Sequence, residues 1–177
     1  MKMGDGGFRP AYNIQYATET ESRVIVGVDV TNIGSDMGLM VPMYEAVESR
    51  LGRRPKQWLV DGGFAKHQAI DHLEAKGTKV YAPVPTPRDP ATDRHERREE
   101  DTKETWAWRR RMKSKRAREI YKERGATAET VNADLRAWRG LQRLSVRGRT
   151  KVKAIALLQA LTYNMLRCIS LGMPAWA

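Results

Sequence analysis

The chain has 177 residues, 41% hydrophobic and 30% charged, which suits one domain with a single core and argues against wholesale disorder. Its lone cysteine, Cys168, excludes an internal disulfide and fits a reducing, cytoplasmic setting. The net charge of +11 is unevenly spread: residues 1–90 carry 11 Lys and Arg against 11 Asp and Glu, whereas residues 91–177 carry 21 against 10. That asymmetry points to a surface for a polyanion, nucleic acid first among them, with a merely basic soluble protein as the plainer reading.

Tyr12 to Thr18 and Arg23 to Thr31 read as two strands of a β-hairpin around the polar turn Glu19 to Ser22. In the second run Val24, Val26, Val28 and Val30 alternate, which predicts one face for them and the other for Ile25, Gly27 and Asp29. Ser35 and Asp36 are expected to cap a helix bearing Met37, Met40, Tyr44, Val47 and Leu51 on one stripe, stopped by Gly52. A short strand at Trp58 to Val60 closes on Asp61-Gly62-Gly63. A helix from Lys66 to Lys76 follows, then a strand from Thr78 to Val84 halted by prolines.

Between Thr86 and Glu104, 12 of 19 residues are charged and none is Val, Ile, Leu, Met or Phe, so the stretch reads as a solvated or partly disordered insert. Helical composition returns from Thr105 to Arg124 with Trp106, Trp108 and the basic run Arg109, Arg110 and Arg111. A further helix spans Thr127 to Ala137, and a long one runs from Val152 to Leu171. Lys153, Gln159, Asn164 and Arg167 interrupt that last apolar stretch, so it reads as buried and not as a membrane span. The order of elements predicts an α/β fold with a mixed sheet.

Two carboxylates stand out. Asp61 ends a hydrophobic strand and precedes two glycines, a place where α/β proteins gather ligands and where turn-forming Asp-Gly is equally at home. Glu129 heads a helix on which Arg136 lies two turns on, an arrangement able to hold a metal and a phosphate, although spacing alone favours a surface Glu. Trp106 and Trp108 suit either base stacking or core anchorage, the latter somewhat better. His67, His72 and Glu74 match no zinc motif, and no phosphate-binding loop or nucleophile elbow occurs.

Several segments together resemble the DDE transposases of bacterial insertion sequences, the branch with a Tyr-Arg-Glu-Lys signature. They are Tyr12 to Ala17, Val28 to Asn32, Val60 to Phe64, the spacing of Tyr121, Arg124, Glu129 and Arg136, Arg139 to Arg149, and Tyr163-Asn164. Arg136 stands where the signature has Lys, which keeps the charge. The resemblance implies a ribonuclease-H-like fold and two divalent metals, Mg²⁺ or Mn²⁺, held by three acids. It makes Asp61 the second acid and Glu129 the third, with Tyr121, Arg124 and Arg136 on DNA phosphates; the charge asymmetry adds Arg109, Arg110 and Arg111 to the expected DNA surface. It implies transposon ends and target DNA as partners, allows a homodimer, and sets the protein in the bacterial cytoplasm, on the nucleoid when DNA-bound. The first acid belongs to the first strand of a three-strand meander. Only two strands precede the first helix, so that strand is expected upstream of Met1, with Asp5, Asp29 and Asp36 as substitutes within the chain. Residues 1–177 then form one N-terminally truncated catalytic domain, unable to cut DNA unaided. The alternatives are a DNA-binding module without chemistry and a junction-type nuclease on the same fold.

Overall fold

The described strands are two of six and seven residues and two of only three, distributed over two units of the chain. The computed structural model describes residues 6–7, 11–141 and 143–172. One unit is drawn from the chain through Ser35 and from Gly125 onward, the other from Asp36 to Arg124.

In the first unit β1 (Asn13–Thr18) and β2 (Ile25–Thr31) form the expected antiparallel hairpin, pairing Asn13 with Thr31 and Tyr16 with Val28. The alternation predicted for β2 holds only in part. Ala17 pairs with Gly27 but Thr18 pairs with Ile25, so Val26 is an extra residue, a β-bulge. The bulge flips the strand's parity, and Ile25, expected on the far face, joins Val28 and Val30 in the core. That core is completed by Val131 and Leu135 of α5 (Thr130–Ala137) and by Val152, Ala156 and Ala160 of α6 (Arg149–Ser170). The two alanines four residues apart let α6 lie close against the hairpin. A five-residue π turn, Gly125–Glu129, precedes α5.

In the second unit α1 (Met40–Leu51) buries Met40, Met43, Tyr44 and Val47 and ends at Gly52, whose φ of 63° suits the left-handed stop. It begins three residues later than the sequence suggests. Gly38 at φ 90° breaks the helical path, and Asp36 does not cap α1. Its carbonyl instead accepts the Leu39 N–H in a turn. The strands β3 (Gln57–Leu59) and β4 (Lys79–Tyr81) are parallel, joined through α2 (His67–Ala75). Pro55 precedes β3 and Gly62-Gly63 follows it, while Pro83 closes β4, which confines the ladder to three residues a strand. The described strands therefore make two separate ladders, one antiparallel and one parallel, where the sequence suggests a single mixed sheet.

The helix expected from Thr105 to Arg124 is two helices, α3 (Lys103–Lys113) and α4 (Lys115–Arg124). Ser114 between them is extended, and its hydroxyl accepts the Ala117 N–H. Trp108 is fully buried and donates its indole N–H to the Ala82 carbonyl, so the core reading of this residue holds. None of the described helices is long and apolar enough to cross a membrane.

Candidate functional site

Asp61 lies just beyond the carboxyl end of β3, exposed to solvent, and caps the 3₁₀ turn Gly62–Phe64 by accepting the Gly62 N–H at 2.7 Å. The two glycines matter for what comes near. A Cβ on Gly62 would meet the Pro83 ring at 3.4 Å, and one on Gly63 would meet a carboxylate oxygen of Asp36 at 3.7 Å. The Asp36 side chain therefore rests against the Asp61 loop, a juxtaposition of two residues 25 apart that no local pattern announces.

Glu129 is exposed at the end of the π turn, in the first unit, and its carboxylate lies over Gly125, 3.7 Å from where a Cβ would sit. Arg136, on α5, is exposed and makes no hydrogen bond or ion pair among the described residues. Asp29, another acid weighed above, is bonded to Lys153 at 2.9 Å. Burial raises its carboxyl pKa, but the Lys153 hydrogen bond, the Val30 N–H and the charges of Lys153 and Arg149 outweigh that and hold it below the usual carboxylate range. Asp5 lies outside the described residues.

In the second unit Tyr121 is half-buried against the core and the Arg124 guanidinium lies over its ring at 5.6 Å, so these two expected phosphate contacts hold one another. The three arginines of α3 take different directions. Arg110 points to solvent with no partner among the described residues. Arg109 is 1% exposed, paired with Asp101 at 2.9 Å, and also bonded to the Arg94 carbonyl and to His67. Arg111 pairs with Glu74, donates to the Val80 carbonyl at 3.0 Å and lies over the Tyr81 ring. Helical rotation places 109 inward and 110 outward, which a run of identical cations conceals. In this arrangement Arg109 is a core ion pair and does not offer its charge to DNA.

A divalent ion needs oxygen donors, and the acids named here supply hard carboxylates of the kind Mg²⁺ prefers. Among the described residues no three His, Cys, Asp or Glu side chains gather into a metal-holding group. The donor chemistry fits and the number of donors falls short of three.

These elements invite comparison with known proteins. A family model described as a transposase DDE domain matches residues 2–165. The chain belongs to that family, and so to the proteins of DNA transposition, with DNA as the partner the family implies. No curated protein and no solved structure matched.

Proposed function

We propose that this chain carries the catalytic part of a DDE transposase of the insertion-sequence type with the Tyr-Arg-Glu-Lys signature, on a ribonuclease-H-like fold, cleaving and joining phosphodiesters at transposon ends. The observation that carries the reading is Asp61: an exposed carboxylate past the end of a parallel strand, on a glycine pair that admits a second acid, Asp36, to the same loop. A pair of bound divalent ions would activate the attacking oxygen and stabilise the leaving one. Asp61 and Glu129 serve as ligands, and Asp36, whose carboxylate lies against Gly63 of the Asp61 loop, is the candidate for the third. Arg136 and Arg110, both solvent-facing, supply cations for backbone phosphates, with Tyr121 and Arg124 as a paired contact.

The test is a Mn²⁺ titration by calorimetry of the wild-type chain, Asp61→Asn and Glu129→Gln, beside nicking of supercoiled plasmid. Weaker Mn²⁺ binding in both variants, with unchanged circular dichroism, is the expected result. Titrations identical to wild type in both would sink the assignment of these acids. The non-catalytic DNA-binding alternative predicts DNA binding that is steeply salt-dependent and indifferent to Mn²⁺.

A further inference from the structure

The second unit holds a cavity of about 240 Å³ lined by Gln57, Lys79, Tyr81, Arg111, Ser114 and Arg116. Its construction follows from the strand pattern. Gln57 pairs with Lys79 in the parallel ladder, and Lys79 and Tyr81, two apart, share a face. The elbow between α3 and α4 covers that face, with Arg111 on one side of Ser114 and Arg116 on the other.

With Ala117, which also lines it, three of the seven lining residues are cations and none is an acid. Glu74 and the Val80 carbonyl fix Arg111 from behind, and its charge is largely balanced there. Lys79 and Arg116 differ: both are exposed, and neither side chain has a hydrogen bond or ion pair among the described residues. The first turn of α4, a ten-residue helix, opens beside them and adds the positive end of its dipole. Two uncompensated cations and a helix start around a concave space define a receptor for an anion. The cavity, about 240 Å³, is roomy enough for a phosphate group to enter.

Position then says which phosphodiester. Gln57 and Lys79 begin their strands, whereas Asp61 lies two residues past the end of β3. Four residues of extended chain span roughly 13 Å. An anion held by Lys79 and Arg116 is therefore not the one reacting at Asp61.

We propose that this pocket grips a DNA backbone phosphate away from the reacting one, through Lys79, Arg116 and the start of α4, and so sets the register of the DNA on this unit. The proposal rests on the DNA-cleaving reading given above and adds to it a contact with no part in the chemistry.

The experiment measures binding of a fluorescein-labelled 25-base-pair duplex across a salt series, for the wild-type chain and for Lys79→Ala with Arg116→Ala. A control, Arg53→Ala with Lys103→Ala, removes two exposed cations elsewhere on the same unit. The pocket variant should lose about tenfold or more in affinity at 0.1 M salt, with a slope of log affinity on log salt shallower by about 1, since each phosphate contact contributes about 0.9. Its Mn²⁺ titration should match wild type, and the control should bind nearly as wild type does. Equal losses in the two double variants would make the effect one of general charge and overturn the pocket. So would unchanged affinity and slope in the pocket variant while the wild-type chain binds. If the wild-type chain itself fails to bind the duplex, the DNA reading falls first and this proposal with it.

Discussion

Asn164 of α6 holds the peptide groups of Ile25 from both sides, accepting its N–H and donating to its carbonyl, each at 2.8 Å. The amide side chain thus acts as a strand neighbour for the residue next to the bulge at Val26. Next to it, Arg167 donates to the Ser22 carbonyl, so two residues of the last helix pin the start of β2. Replacing Asn164 with Ala leaves both Ile25 groups without a protein partner. The cost should be about 2 kcal/mol, the scale for unsatisfied part-buried groups. Urea unfolding reads the loss, and amide exchange at Ile25 should quicken locally. Asn164→Asp should not rescue it, because a carboxylate would face the Ile25 carbonyl. Full stability in Asn164→Ala would show the contact to be incidental.

Arg109 and Arg110 are neighbours with opposite expectations. Arg109→Ala leaves Asp101, whose side chain is fully buried, as an unpaired charge, and loss of one partner of a buried pair costs about 3–5 kcal/mol. Thermal unfolding should reveal it. Arg110→Ala should leave stability within about 0.5 kcal/mol and lower DNA affinity instead. Reversed outcomes, with Arg109→Ala stable and defective in DNA binding, would return Arg109 to the DNA surface.

Asp93 accepts from Lys113 at 2.8 Å and from the His95 N–H at 2.9 Å. The Lys113 hydrogen bond first, and the His95 N–H next, hold its carboxyl pKa down to about 2. A depressed carboxylate contributes stability above its unfolded value of about 3.9, and that contribution is lost as pH falls through about 2. Lys113 is raised in turn, chiefly by the same hydrogen bond, so its side of the interaction persists until pH climbs past the usual lysine range. Carbon-detected NMR of the Asp93 carboxyl should give a midpoint near 2 that moves toward the ordinary value in Lys113→Ala. A midpoint indifferent to that substitution would show the pair to be open in solution.

Gly63 offers a test of the Asp36 contact. Ala at this position meets the Asp36 carboxylate at ordinary distance, 3.7 Å, and should be tolerated. Gly63→Val adds branches that would displace the carboxylate. Mn²⁺ affinity should therefore fall in Gly63→Val and hold in Gly63→Ala, with Asp36→Asn matching the former. Wild-type affinity in Asp36→Asn would remove Asp36 from the ligand set.

Most of the elements are legible in local signals, although the cap expected at Asp36 and the unbroken helix from Thr105 to Arg124 are not what forms. The hairpin, the stop at Gly52, the short strand ahead of Asp61 and the existence of the last helix follow from alternation, helical spacing or glycine placement, but that helix is not buried as expected: only Val152, Ala156 and Ala160 are, while Leu158, Leu161 and Ile169 are exposed. What escaped is set by partners far along the chain. The bulge at Val26 is set by the pairing of Gly27 with Ala17 and of Ile25 with Thr18, and by Asn164 on Ile25, and nothing within β2 marks it. Arg109 reads as surface inside a basic run because its burial is decided by Asp101 on the preceding turn and by Arg94 and His67. Nothing along the chain links Lys79 to Arg116 of the basic run, since only the pairing of β3 with β4 and the bend at Ser114 bring them to one cavity. For the candidate acids, Asp61 was legible from its strand, whereas the approach of Asp36 to Gly63 required the fold of the intervening chain.

The buried Asp101–Arg109 pair fastens the far end of the charged stretch that begins at Thr86, close to where α3 starts. Upstream of it, the chain at Thr86 and Arg88 is exposed. Lengthening such a loop costs only about 0.6 kcal/mol for each doubling. The region near Arg88 is therefore a natural splice point, where a fluorescent or affinity module can be carried without disturbing either ladder, provided Asp101 and Arg109 stay together.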